Sequence, residues 1–175
     1  EGVEVVASYR FPETAIGNFR LTAGYSYNDT QIDARASLTT LPGLTLFGRQ
    51  ESLRLTDGQP KDKINLGLEW DLGPVGATIR ANRFGEVLVP GVDAARDQTL
   101  SAQWLTDVEV RVRPFEALEL GVGASNLFYV YPDRVYAGVV GGQNYGLNGY
   151  FLPFSSFSPF GFNGRFVYGR ATVSF

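Results

Sequence analysis

A chain of 175 residues is long enough for one domain with a real core, and a net charge of −3 gives no basic footprint for nucleic acid. The absence of cysteine rules out disulfides and thiolate chemistry within these residues. The absence of histidine rules out the usual zinc sites, Ser–His triads and imidazole acid–base catalysis.

There is no methionine, even at position 1, so the expectation is a processed chain or a piece of a longer one, with no signal peptide expected among these residues. No apolar run approaches the length of a transmembrane helix, and mean hydropathy is near zero. Neither fact excludes a membrane barrel, which spreads its apolar residues over alternate positions. The 13 Phe, 9 Tyr and 2 Trp, with 21 Gly, suit closely spaced strands and interfacial aromatic girdles, and equally a soluble all-β domain.

Taken in order, Val3 to Phe11 alternates Val3, Val5, Ala7, Tyr9 and Phe11 against Glu4, Val6, Ser8 and Arg10. A period of two means a strand, because successive side chains leave opposite faces of the pleat. After a turn over 12–18, Phe19 to Thr30 resumes with Phe19, Leu21, Ala23, Tyr25 and Tyr27 on one face. Asn28-Asp29-Thr30 fits a glycosylation sequon, a triplet common by chance. A long connection covers 31–61, in which Leu44 to Leu55 reads as either a strand extension or a helical turn.

Lys63 to Asp71 places Ile64, Leu66, Leu68 and Trp70 opposite Asn65, Gly67 and Glu69. A tight turn at Leu72-Gly73-Pro74-Val75 leads into Gly76 to Phe84, and a second long connection covers 85–98. The strongest alternation follows. Leu100, Ala102, Trp104, Val108, Val110 and Val112 oppose Ser101, Gln103, Asp107, Glu109, Arg111 and Arg113. A turn at 114–117 then gives a second arm, with Leu118, Leu120, Val122 and Ala124 opposite Glu119, Gly121, Gly123 and Ser125. The third and longest connection, 128–162, precedes a final strand over Gly164 to Phe175.

Seven long strands result, joined by connections that alternate short and long. Loops beyond about 12–15 residues are uncommon inside compact soluble domains. Transmembrane barrels combine tight periplasmic turns with long extracellular loops, and about 9–11 tilted residues cross a bilayer. The expected fold is therefore all-β, an antiparallel up-and-down meander of about seven long strands forming an open segment of a large transmembrane β-barrel. The turns at 12–18, 71–76 and 113–117 would face the periplasm, and the long connections would face outside. An odd count with unpaired edges in lipid requires either a missed strand or a larger barrel.

At Asp107-Val-Glu-Val-Arg-Val-Arg-Pro114, Leu118-Glu-Leu120 and Gly123-Ala-Ser-Asn-Leu-Phe128, the chain resembles the carboxyl end of TonB-dependent outer-membrane receptors. Gln59-Pro60-Lys61-Asp62-Lys63 before a strand and the terminal Arg170-Ala-Thr-Val-Ser-Phe175 look similar to that family's pattern. Tyr129 stands where the family usually has Asp after Asn126-Leu127-Phe128. The resemblance implies a 22-stranded barrel closed by a plug in the bacterial outer membrane, importing a scarce ligand (siderophore, cobalamin or saccharide) with energy from the TonB complex. It makes residues 1–175 a carboxyl-terminal barrel segment without plug or TonB box. The implied partners are outer-membrane lipid, the remaining strands and plug of the parent chain, TonB through that plug, and an imported ligand of unknown identity.

Two sets of candidate site residues emerge. Tyr145, Tyr150, Phe151, Phe154 and Phe157 of the last long connection could form an apolar ligand platform at the mouth, or pack the loop on itself. Glu69, Arg80, Glu109, Arg111, Glu119 and Arg170 are expected to line the lumen and to pair charges across strands. Glu109 and Glu119 also invite a glycosidase reading, which nothing in the sequence supports further. Gly121-Val-Gly-Ala-Ser-Asn126 lacks the third glycine of a dinucleotide fingerprint. No phosphate loop or metal-ligand cluster occurs, so no cofactor, metal or catalytic residue is expected.

Two rivals stand beside this reading. One is a small complete eight-stranded outer-membrane barrel with a structural or adhesive role, its eighth strand within Leu44 to Leu55. The other is a soluble β-sandwich binding module, or more remotely a carbohydrate-active enzyme. It requires Val108, Val110, Val112, Leu118 and Leu120 to pack against a second sheet.

Overall fold

The computed structural model describes residues 1–34, 47–135, 138–140, 143–145 and 153–174. The elements run β1 (Gly2–Arg10), β2 (Asn18–Asn28), α1 (Arg49–Thr56), β3 (Asp62–Leu72), β4 (Val75–Phe84) and β5 (Val87–Val89). A 3-10 turn (Ala94–Arg96), β6 (Gln98–Leu100), β7 (Gln103–Phe115), β8 (Leu118–Ser125), β9 (Gly138–Val140), β10 (Gln143–Tyr145) and β11 (Phe166–Val173) follow. Among the described residues, no helix is long and apolar enough to cross a membrane.

The seven long strands form one antiparallel sheet in the order β1-β2-β3-β4-β7-β8-β11. Each strand pairs with the next long strand in the chain, the up-and-down meander expected from the alternation. The sheet is not closed: among the described residues, β1 and β11 each have a neighbour on one side only. Beyond it, β5 pairs with β6 and β9 with β10 as separate two-stranded ribbons.

Register makes the two faces continuous. One row reads Tyr9-Leu21-Leu68-Ile79-Val108-Ala124-Val167 across all seven strands. The row toward the turns reads Phe19-Trp70-Ala77-Val110-Val122-Gly169. Beyond it, Leu72, Val75, Val112, Leu120 and Ala171 continue the oily surface. Toward the loops, Ala7-Ala23-Leu66-Ala81-Thr106 gives way to Val5-Tyr25-Ile64-Arg83-Trp104, where the first cation appears.

This face has no second layer over it among the described residues. Val110 is 55% exposed and Val122 65%, and Leu21, Leu66, Leu68, Ile79, Val112 and Leu120 are exposed as well. Leaving one such side chain in water forgoes about 1.5–3 kcal/mol. A solvent of hydrocarbon recovers that energy. The sandwich rival needed a covering sheet over Val108, Val110, Val112, Leu118 and Leu120; Val110, Val112 and Leu120 are exposed instead, Val108 and Leu118 are half-buried, and among the described residues no second sheet packs on β7 or β8.

The buried apolar cluster lies elsewhere, in the ribbon above the sheet, where Val87, Val89 and Leu100 close on one another. Leu100 therefore does not belong to the long arm in which its parity placed it. The chain leaves the ladder at Ser101 and Ala102, and Leu100 pairs with Val87. Leu44 to Leu55 holds no strand where it is described: from Arg49 onward it is helical, and 44–46 lie outside the described residues.

The turns are short for local reasons. Gly17 has φ +111°, and a Cβ there would stand 2.5 Å from the Asp71 carbonyl oxygen. That approach lets the Trp70 indole donate to the Ile16 carbonyl at 2.7 Å, tying the first turn to β3. Leu72 and Val75 close the β3–β4 hairpin, with Gly73 at φ +55°.

Candidate functional site

The opposite face of the sheet is polar, and it carries all six residues expected to line a lumen. Glu69, Thr78 and Glu109 share one row with Arg20. Arg80 stands between Gly67 and Asp107 in the next row, while Asp71, Gly76, Arg111, Gly121 and Arg170 form the row nearer the turns. Open clefts of about 310 Å³ indent this face, one of them lined by Thr22, Asn65, Glu69, Arg80 and Asn82.

Most of the charges are satisfied across strands. Arg20 donates to Glu69 at 3.4 Å; Arg111 reaches Asp71, and also Thr78 Oγ1 at 3.2 Å. Arg170 bridges Glu109 and Glu119 at 2.8 and 3.1 Å, and Arg113 completes the chain to Glu119 at 2.8 Å. The Tyr168 hydroxyl donates to Glu109 at 2.9 Å. Its ring lies over Gly123, where a Cβ would be 2.5 Å from the ring. Glu109 and Glu119, the pair that invited a glycosidase reading, thus share one guanidinium.

At the open end of the sheet the long connections fold on one another. Helix α1 begins after Gly48, whose carbonyl accepts from the Ser52 hydroxyl at 2.8 Å, and ends where the Asp57 amide donates to Leu53. Its Arg49 grips Asp97 through two guanidinium nitrogens and also donates to the Gly91 carbonyl at 2.9 Å. Gln50 donates to the Pro90 carbonyl, and the Leu88 amide to the Asp57 carbonyl. The first and second connections are therefore one folded unit, closed over the Val87 cluster.

Electrostatics hold that unit at neutral pH. Hydrogen bonding to Asp97 raises the Arg49 pKa, and the Arg49 guanidinium, then the Gly91 amide, hold the Asp97 carboxyl below its usual value. Lys61 sits 2.9 Å from Asp29 and 3.1 Å from Asp57, which raises its pKa well above the ordinary lysine value. Asp29 is lowered in turn by Lys61 and by the Gln31 amide. A cleft of about 450 Å³ opens beside this cluster, lined by Tyr27, Asp57, Lys61, Asp62, Glu86 and Thr99.

The third connection is anchored at its start by Asn126. This residue is 6% exposed, adopts φ +50°, donates to the Val130 carbonyl at 2.7 Å and accepts from the Val130 amide at 2.8 Å. Its own amide donates to Asp107 at 2.8 Å. Tyr129, with φ +63°, completes the bend, and Arg165 lies over its ring. The loop reaches back to the second connection through Gln98 to the Arg134 carbonyl and Ser101 to Asp133.

Of the aromatic candidates, Phe154 stacks between Tyr131 and Phe162 at 5.5 and 5.9 Å. Phe157 lies under the Arg54 guanidinium at 4.9 Å. Tyr145 closes β10, which is described by its backbone; Tyr150 and Phe151 lie outside the described residues. The Arg49–Asp97 and Arg54–Phe157 contacts escape a reading of the sequence. Their partners are far apart in the chain and no local spacing marks them.

No family model and no curated protein sequence matches the chain. Solved structures do. One mutant of the ferric enterobactin receptor of Pseudomonas aeruginosa superposes with a TM-score of 0.57 and 19% identity, over 97% of this chain and 22% of the receptor. The shared fold is a stretch of β-barrel wall. A second mutant of that receptor gives 0.55 and 19% over the same shares. A third, in complex with enterobactin, gives 0.55 and 18% over 96% of this chain and 22% of the receptor. The chain thus spans less than a quarter of the length of the receptors it matches.

Proposed function

We propose that this chain is a carboxyl-terminal part of the barrel of a TonB-dependent outer-membrane receptor, a transport protein that takes up a scarce ligand. One observation carries the reading: an uncovered apolar face in unbroken register, backed by a charge-paired polar face on the same seven strands. A sheet of that kind is stable where one side meets hydrocarbon and the other meets a wet lumen. β4 is 10 residues long, within the 9–11 a tilted strand needs, and its oily positions run from Val75 to Ala81 before Arg83.

The two free edges support a larger barrel, since unpaired backbone groups in lipid cost several kcal/mol each. The remaining strands, a lumen-filling plug and the TonB complex would come from the rest of the system. Likeness to a ferric enterobactin receptor favours an iron chelate among the three ligand classes, held by loops at the open end. This part of the wall supplies position and stability rather than reaction chemistry.

The test is genetic and biochemical. The full-length product should fractionate with the outer membrane and migrate faster unheated than boiled. Its deletion should abolish uptake of a ferric siderophore in iron-starved cells, and loss of TonB should do the same. A soluble product, or uptake indifferent to TonB, contradicts the proposal.

A further inference from the structure

The two edges of the sheet use their charges differently. On β11 the polar-face Arg170 turns inward and takes Glu109 and Glu119 of the wall. On β1 the polar face carries Glu4 and Arg10, and neither makes an ion pair or a hydrogen bond among the described residues. Glu4 stands opposite Ser26, and beyond Ser26 the Lys63 ammonium lies over the Phe84 ring. Arg10 stands directly opposite Arg20, an arrangement that like charges disfavour. Glu69 meets Arg20 from the far side at 3.4 Å, which leaves Arg10 uncompensated. Lys63 and Arg80 also have no carboxylate partner among the described residues, but β3 and β4 already have a neighbour on each side. Among the described strands, β1 alone combines unpaired polar-face charges with an open side.

We infer that the strand completing the ladder on the open side of β1 carries an Asp or Glu facing Arg10 and a Lys or Arg facing Glu4, both on the polar face. The inference rests on the barrel reading, which draws that strand from outside residues 1–175, and adds its charge pattern. The order follows from chain direction. β1 runs from the loop end at Gly2 to the turn end at Arg10, and every neighbouring pair of long strands is antiparallel. An antiparallel neighbour meets Arg10 first and Glu4 six residues later. In a ladder without a bulge the acid therefore precedes the base by six, an even spacing that keeps both on one face.

β11 does not fit as that neighbour, because Phe166–Val173 contains no carboxylate for Arg10. A second copy of β1 is the rival occupant. Antiparallel pairing about Ala7 would set Arg10 of each copy against Glu4 of the other. Such a pair leaves both β11 edges unpaired in hydrocarbon, and the charge pattern is satisfied without that cost by a further strand of the barrel.

The experiment uses the full-length protein in outer membranes with Arg10→Lys, which keeps the charge and adds an amine that a carbodiimide joins to an adjacent carboxylate. Digestion and mass spectrometry should find Lys at position 10 joined to an Asp or Glu outside residues 1–175, with a Lys or Arg six residues after it. In a second arm, Arg10→Glu should lower the urea midpoint of the detergent-solubilised protein, and changing the joined carboxylate to Arg in the same molecule should restore most of the loss. A join confined to residues 1–175, a join to Glu4 of a second copy, no join, or no recovery in the double variant overturns the inference. Outer-membrane fractionation and heat-dependent migration of the same preparation show separately whether the barrel reading holds.

Discussion

Arg49 and Asp97, 48 positions apart, form a two-pronged pair that fastens the first long connection to the second. The Gly91 amide and carbonyl complete the knot from the other side. Asp97→Asn removes the charge and should loosen both connections at once. Hydrogen exchange at 87–100 should speed up several-fold, while exchange in β7 and β8 stays unchanged. Acid should do the same. Because the Asp97 pKa is lowered in the folded state, the stabilisation is present above the ordinary carboxylate value of about 3.9 and is lost as pH falls through the folded value. The knot should therefore hold from neutrality down to about pH 4 and open below it.

Asn126 is the hinge pin of the third connection. Asn126→Ala deletes both bonds to Val130 and leaves the residue at φ +50° without the local hydrogen bonds that let asparagine hold that conformation, at a cost of about 2–3 kcal/mol. Asn126→Asp keeps an acceptor but loses the donor to Val130, and it brings a second carboxylate toward Asp107. Both variants should lower the unfolding midpoint of the detergent-solubilised barrel by similar amounts.

Gly123 is required by the Tyr168 ring packed on it. Gly123→Ala must push that ring aside and break its bond to Glu109, costing about 1–3 kcal/mol. Tyr168→Phe removes the bond but leaves the ring seated and Glu109 on Arg170, so it should cost about 1 kcal/mol. Urea unfolding in detergent orders the two.

On the oily face the penalty for charge should depend on depth. Ile79→Lys lies in the middle row and should destabilise by roughly 2–4 kcal/mol, whereas Val112→Lys, nearer the turns, should cost about 0–1 kcal/mol. Folding into lipid vesicles from urea measures both.

Much of this was legible because a period of two survives without any knowledge of partners. Val108, Val110 and Val112 against Glu109 and Arg111 fix a strand and both of its faces, and the place of Glu69, Arg80, Glu109, Arg111, Glu119 and Arg170 on the polar face follows from parity. Parity failed where the ladder stopped. Leu100 keeps the even-numbered rhythm yet belongs to a ribbon with Val87, because nothing in Ser101-Ala102 signals the break. The helix over Arg49–Thr56 stayed ambiguous since Leu53 and Leu55 alternate like a strand while its hold on Pro90, Gly91 and Asp97 is tertiary. The resemblance at Asn126-Leu127-Phe128 marked a motif, and only the geometry shows it as a backbone clamp.

The central claim is that alternate side chains of these strands face hydrocarbon and water. Residues 1–175 contain no cysteine, so in a full-length protein cleared of any cysteine elsewhere single cysteines can be placed from Val75 to Asn82 and spin-labelled in lipid vesicles. Collision rates with oxygen and with a water-soluble nickel chelate then report the surroundings of each site. The expected result is a two-residue oscillation, with Val75, Ala77, Ile79 and Ala81 favouring oxygen, most strongly at Ile79, and Gly76, Thr78, Arg80 and Asn82 shielded from lipid. A profile without that oscillation, or an Ile79 site closed to oxygen and chelate alike, contradicts the account.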